Sequence, residues 1–121
     1  MYLFEMLGFQ VTYDQERRTA HIECSIQEPM LNALGVVHGG MHTYLADTAF
    51  GLLTNRFIEG AFVALELKTS FLQKTSEGQM IATARFVKEG RNVAFLACTV
   101  ESGEGILLSE TTGTFYRVQR L

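Results

Sequence analysis

The residues that could do chemistry lie close together. His38-Gly39-Gly40 is followed, nine residues after the histidine, by Asp47 in a stretch of Met, Leu, Ala, Thr and Phe. A Gly pair lets backbone approach a ligand closely where a helix begins. The first N–H groups of a helix lack an intrahelical acceptor and sit at the positive end of its dipole, so they favour a developing negative charge. An acid within an apolar helix is costly to bury unpaired, so it is usually paired or functional. These two features suit a site where negative charge develops beside the start of a helix. A plainer reading stays open on the residues alone: the glycines permit tight helix–sheet packing and Asp47 faces solvent.

These groups must be held by a helix and a sheet. Residues 39–55 carry Met41, Leu45, Thr48 or Ala49 and Leu52 at helical spacing, with Tyr44, Leu53, Ala46 and Gly51 on the other sides. A helix apolar almost all round is buried. Residues 2–8 suit a short amphipathic helix stopped at Gly8. From Arg18 to Ile26, Ala20, Ile22, Cys24 and Ile26 alternate with His21, Glu23 and Ser25, the pattern of a half-buried strand that Glu28-Pro29 ends. Residues 61–72, 79–88, 92–102 and 106–118 are rich in Val, Ile, Phe, Thr and Tyr, and short Gly-containing separations between them predict a four-strand meander of hairpins. The expected order is helix, one or two strands, a central buried helix, then four strands. That is an α+β layout with an antiparallel sheet covering one helix.

Length and composition narrow the function. The chain of 121 residues is 47% hydrophobic with a formal net charge of −3, which suits one folded domain over 1–121 and argues against nucleic-acid binding. Arg17-Arg18 is the only adjacent basic pair. The first residues lack the basic flank and cleavage site of a signal peptide, and no apolar run is long enough to span a membrane, so a cytoplasmic protein is expected. Cys24 and Cys98 have no metal spacing and read as reduced, buried thiols. His42 follows His38 by one helical turn, but no third ligand has matching spacing, so no metal is expected.

The run Asn32, then Gly35-Val36-Val37-His38-Gly39-Gly40, then Asp47 resembles the hotdog-fold acyl-CoA thioesterases, in particular the phenylacetate-degradation (PaaI-like) group. The resemblance extends through Ala64–Leu72, Ile81–Ala84, Lys88-Glu89-Gly90-Arg91 and Thr112-Gly113-Thr114-Phe115. It implies a sheet wrapped around one long central helix and hydrolysis of an acyl-CoA to free acid and coenzyme A. Asp47 matches the nucleophile or general base, and Gly39 the residue whose backbone N–H polarises the thioester carbonyl. Asn32 matches an asparagine that helps place water or the thioester, and His38 a histidine that fixes the loop. Lys88, Gly90, Arg91 and Gly40 are candidates for holding coenzyme A, with Lys68 and Lys74 weaker ones; Arg91 leads because a guanidinium fork suits phosphate. Coenzyme A belongs to the substrate, so no separate cofactor is expected. The resemblance also implies homodimers joined into one continuous sheet and paired into homotetramers. One departure stands out. Some members carry Ser or Thr to hold the attacking water where this chain has Ala64; Thr48, Thr69 or a second water could substitute.

Two other functions compete. A non-catalytic acyl-CoA-binding or sensor protein would need no complete hydrolytic apparatus, which Ala64 leaves in question. An acyl-thioester hydratase or dehydratase would carry a Gly-Asp-x-Asn-Pro motif or a facing His–Glu pair, and the chain has no such motif. Nine Phe and four Tyr suit an aryl or medium-chain acyl group.

A further expectation concerns assembly. Gly39 and Asp47 are eight residues apart, about 12 Å along one helix at 1.5 Å per residue. Groups acting on one carbonyl must each lie at roughly 3 Å. If both act on one thioester, they come from different chains.

Overall fold

The computed structural model describes residues 1–119; Arg120 and Leu121 of the expected 1–121 domain lie outside the described residues. Its elements run α1 (Leu3–Met6), β1 (Gln10–Asp14), β2 (Thr19–Ser25), a 3-10 turn at Glu28–Met30, α2 (Gly39–Phe57), β3 (Ala61–Phe71), β4 (Gln79–Glu89), β5 (Val93–Ser102) and β6 (Leu107–Gln119). The six strands form one sheet in the order β1-β2-β4-β5-β6-β3, antiparallel throughout. The long helix lies against its inner face, the arrangement the resemblance implies.

The alternation read in β2 holds: Ala20, Ile22 and Cys24 are buried. They meet Leu45, Ala49, Phe50 and Leu53 from α2 and Leu96, Cys98 and Val100 from β5 in one core. Cys24 and Cys98 are both free and buried, and burial pushes their thiols up to about 11 and about 12, so neither carries thiolate at neutral pH.

The expected meander is corrected at one strand. β4, β5 and β6 do follow one another as hairpins, but β3 pairs with β6 at the far edge and not with β4. Ser76-Glu77-Gly78 is therefore no hairpin turn. The segment 72–78 crosses the end of the sheet, tied by the Leu72 and Gln73 N–H groups to the Leu108 carbonyl, by Val37 N–H to the Thr75 carbonyl, and by Ile26 N–H to the Gly78 carbonyl. A local turn signal could not show which neighbour the strand would choose. Two smaller differences concern the helices. α1 is shorter than residues 2–8, and α2 runs to Phe57 and is not buried all round, since Gly40, Gly51, Asn55 and Arg56 are exposed.

The hairpin between β1 and β2 is latched to the sheet by Arg18, which sits at φ 52. Its guanidinium donates to both Glu89 carboxylate oxygens, at 2.8 and 2.6 Å, and to the Phe57 carbonyl at 3.3 Å. It also lies 4.7 Å above the Phe86 ring. The latch joins β4 to the C-terminal end of α2.

Close contact between helix and sheet explains the glycine in Thr112-Gly113-Thr114. A Cβ on Gly113 would lie 2.9 Å from Leu67 Cδ2, 3.0 Å from Phe50 Cε2 and 3.2 Å from Phe115 Cε1. α2 rests on β6 here through Phe50. We expect Gly113→Ala to destabilise the fold by about 1–3 kcal/mol through overpacking, read as a lower Tm; an unchanged Tm would show that the contact is slack.

Candidate active site

The loop that enters α2 is organised by Asn32. Its Oδ1 accepts from Leu34 N–H at 2.9 Å and Val36 N–H at 3.3 Å, while its carbonyl accepts from Gly35 N–H. Gly35 supplies the positive φ of 78° that this turn demands. The amide oxygen of Asn32 is thus spent on the loop, leaving the amide NH2 as the group that can face a ligand. His38 follows as the N-cap of α2, its Nδ1 accepting from Gly40 N–H at 2.8 Å. An imidazole held this way fixes the helix start.

Met41 N–H turns back to the His38 carbonyl. Gly39 N–H meets no acceptor among the described residues. It is the free donor of the helix terminus, where the dipole adds positive potential. A Cβ on Gly39 would lie 2.9 Å from Phe71 Cζ, so the exposed Phe71 ring would have to swing aside to admit a side chain there. Beside it opens a cleft of about 300 Å³ lined by Val36, Val37, Gly39, His42, Phe71, Leu72, Gln73 and Lys74. The crossing segment 72–78 therefore builds one wall of the cleft and the Asn32 loop another.

Asp47 lies two turns along α2, half-buried, and its carboxylate meets no hydrogen-bond donor or cation among the described residues. Burial raises its pKa above the ordinary carboxylate value. One turn earlier, Thr43 Oγ1 lies 2.8 Å from Thr69 Oγ1, which lies 2.9 Å from buried Thr111 Oγ1. Thr69, one of the possible replacements for the hydroxyl missing at Ala64, is thus held in a chain of hydroxyls. Thr48, the other, donates to the Tyr44 carbonyl at 2.8 Å. Ala64 itself is exposed, beside an irregularity in the β3–β6 register.

Lys88, Gly90 and Arg91 sit at the β4–β5 hairpin. Gly90 is required by its turn, since a Cβ would lie 2.7 Å from the Val93 carbonyl oxygen. Lys88 lines an open groove of about 570 Å³ with Arg17, Arg18, Thr19 and Arg85. Through the Glu89–Arg18–Phe57 contacts, this hairpin stands at the C-terminal end of α2. Gly39 stands at the other end, about 27 Å away along the helix. One chain therefore brings Asn32, His38, Gly39 and Gly40 together, with Asp47 and the hairpin cations apart from them. His38 and His42 do not converge: His38 turns back onto Gly40, and His42 turns inward to Ser109 Oγ at 2.9 Å. Sequence reasoning gave His42 no role in the cleft it lines. Its place between buried Leu45 and the helix start was the available signal.

The model of the thioesterase superfamily matches residues 34–109, from the glycine loop to the start of β6. The chain belongs to that superfamily. It is 32% identical over 117 residues to an Archaeoglobus fulgidus protein described as a "Putative esterase", covering 96% of this chain and 75% of that one. Among solved structures, a Ralstonia eutropha protein described as a "putative thioesterase, phenylacetic acid degradation-related protein" is 26% identical with a TM-score of 0.86, covering 94% of this chain and 88% of that one. The Escherichia coli PaaI protein of the phenylacetic acid degradation operon shares the fold at 23% identity and a TM-score of 0.88, covering 97% and 84%. The fold is the hotdog fold of PaaI-like thioesterases, and the chain is a thioester hydrolase. No helix among the described residues is long and apolar enough to cross a membrane.

The unpaired Asp47 makes a thermodynamic prediction. A carboxyl whose pKa is raised in the folded protein favours folding while protonated, and that contribution disappears as pH rises through the folded pKa. At neutral pH the ionised form is thus a burden on stability. Asp47→Asn should raise Tm at pH 7 and leave it nearly unchanged below about pH 4, where the acid is protonated in both states. Equal Tm values at both pH values would mean that Asp47 is as well solvated folded as unfolded.

Proposed function

We propose that this thioesterase hydrolyses acyl-CoA, with the Gly39 N–H polarising the thioester carbonyl and Asp47 acting as nucleophile or general base. The observation that carries the reading is the unpartnered Gly39 N–H at a helix terminus beside a ligand-sized cleft. A donor placed there stabilises the oxyanion that forms when the carbonyl is attacked. Asp47 supports it as a carboxylate of the same helix without a partner among the described residues, which burial makes more basic than an ordinary acid. His38 and Asn32 hold the loop so that the Gly39 N–H stays aimed outward, and the Asn32 amide NH2 can donate to the thioester or its attacking water.

The active unit in this reading is a homodimer. Gly39 and Asp47 are fixed on one unbroken helix, and the hairpin of Lys88 and Arg91 lies at the wrong end of that helix to serve Gly39 in the same chain. A two-fold axis that sets two copies of α2 antiparallel removes both difficulties at once. β3 supports such pairing: it is an edge strand, with Val63 and Leu65 exposed at 47% and 60%. An open apolar edge is a template for another strand. Arg91 and Lys88 of one copy would then take the coenzyme A phosphates, with Arg17 and Arg85 in the neighbouring groove adding positive potential.

The test is release of free coenzyme A from a panel of aryl and medium-chain acyl-CoAs. Asp47→Asn should lower kcat by about 100-fold or more, the order expected for losing a positioned base or nucleophile. Wild-type turnover in a folded Asp47→Asn protein would remove Asp47 from the mechanism.

A further inference from the structure

His42 is 4% exposed, and it lines the cleft beside Gly39, one helical turn on. Its ring packs edge-on against Phe71 with centroids 5.6 Å apart. Nδ1 is 2.9 Å from Ser109 Oγ; Nε2 has no partner among the described residues. Ser109 is fully buried. Its hydroxyl has no other hydrogen bond among the described residues, so its proton has a destination only if it goes to His42 Nδ1. The opposite arrangement, with Nδ1–H donating, would strand a buried O–H without an acceptor. Ser109 therefore fixes the tautomer in which Nε2 carries the proton. Burial also lowers the basicity of His42 and keeps the ring neutral. The result is one oriented donor set among Val36, Val37, Phe71 and Leu72, in a cleft whose other polar lining is the Gly39 N–H and the side chains of Gln73 and Lys74.

We propose that the His42–Ser109 pair is the recognition element of the acyl pocket, and that it selects acyl groups carrying a hydrogen-bond-accepting oxygen near the thioester. The inference rests on the acyl-CoA reading above for the placement of the thioester at Gly39. With the carbonyl there, an oxygen two carbons further along the acyl chain comes within reach of a side chain one turn along the helix. An unsubstituted chain leaves the Nε2–H stripped of water and unpaired, which is the stronger half of the discrimination.

Calorimetric binding of three hydrolysis-resistant thioethers tests this without turnover: S-hexyl-CoA, S-(3-oxohexyl)-CoA and S-(3-hydroxyhexyl)-CoA. One of the oxygenated ligands should bind wild type about tenfold more tightly than S-hexyl-CoA, the worth of one well-made hydrogen bond. His42→Leu should abolish that ratio, and Ser109→Ala, which releases the tautomer, should reduce it. A variant that still binds S-hexyl-CoA at least as tightly as wild type has kept its pocket, and the ratio is read in such a variant, with Ser109→Ala taking the place of His42→Leu if the latter does not. A wild-type ratio near one overturns the proposal, as does a ratio that survives His42→Leu. The two readings fail separately. Turnover of acyl-CoAs with no preference among the thioethers defeats only the pocket assignment, and a clear preference without turnover of any acyl-CoA defeats only the hydrolytic one. No binding of any of the three overturns the pocket assignment, and turnover of the acyl-CoA panel alone decides the hydrolytic reading.

Discussion

A straight helix cannot bring its first residue and a residue two turns later to the same atom. That constraint governs the rest of the molecule. Gly39 offers its N–H because it begins α2, and Asp47 is partly desolvated because it lies half-buried in the middle of α2. The features that make each group chemically useful also fix the distance between them. Packing leaves no slack to change this: Phe50 sits over Gly113, and Leu45, Ala46, Ala49 and Leu53 are fully buried beneath the helix. A helix embedded so closely cannot kink to shorten the separation. A site that used both groups would have to lie between chains, which is the homodimer proposed above.

The sheet's strand order shapes the cleft as directly as the helix does. Because β3 pairs at the far edge, the chain must return past the N-terminal end of α2 to reach β4. That return lays Leu72, Gln73 and Lys74 beside the Asn32 loop and encloses the donor at Gly39. A plain meander would have left that end of the helix uncovered. Polar groups in this region are either engaged or directed: Asn32 Oδ1 and His38 Nδ1 accept loop and helix N–H groups, and Ser109 is paired with His42. The Gly39 N–H and the His42 Nε2, which have no protein partner among the described residues, belong to residues that line the cleft.

Much of this was legible in the residues. Alternation in β2 gave its buried face, and the Gly pair after His38 gave the start of the long helix. The order of Asn32, His38-Gly39-Gly40 and Asp47 carried the family resemblance before any geometry was known. Three things were not legible. Pairing of β3 with β6 depends on long-range contacts, so a Ser-Glu-Gly turn signal pointed to the wrong neighbour. The open side of α2 was masked because Gly40 and Gly51 count as small, helix-packing residues whether they face a core or solvent. His42 looked like a stray histidine at metal-like spacing, since its partner Ser109 is 67 positions away in the chain.

The composite site is tested most directly by mixing two inactive variants, Asp47→Ala and Asn32→Ala. Asn32 lies in the loop that leads into Gly39, so each variant damages a different side of the proposed interface. Unfolded together and refolded, they should pair at random, making about half of the dimers hybrid under two-fold symmetry. Each hybrid has one doubly damaged site and one intact site, so about a quarter of wild-type activity should return. If hybrids form and no activity returns, Gly39 and Asp47 do not act on one thioester across two chains, and the composite site is refuted.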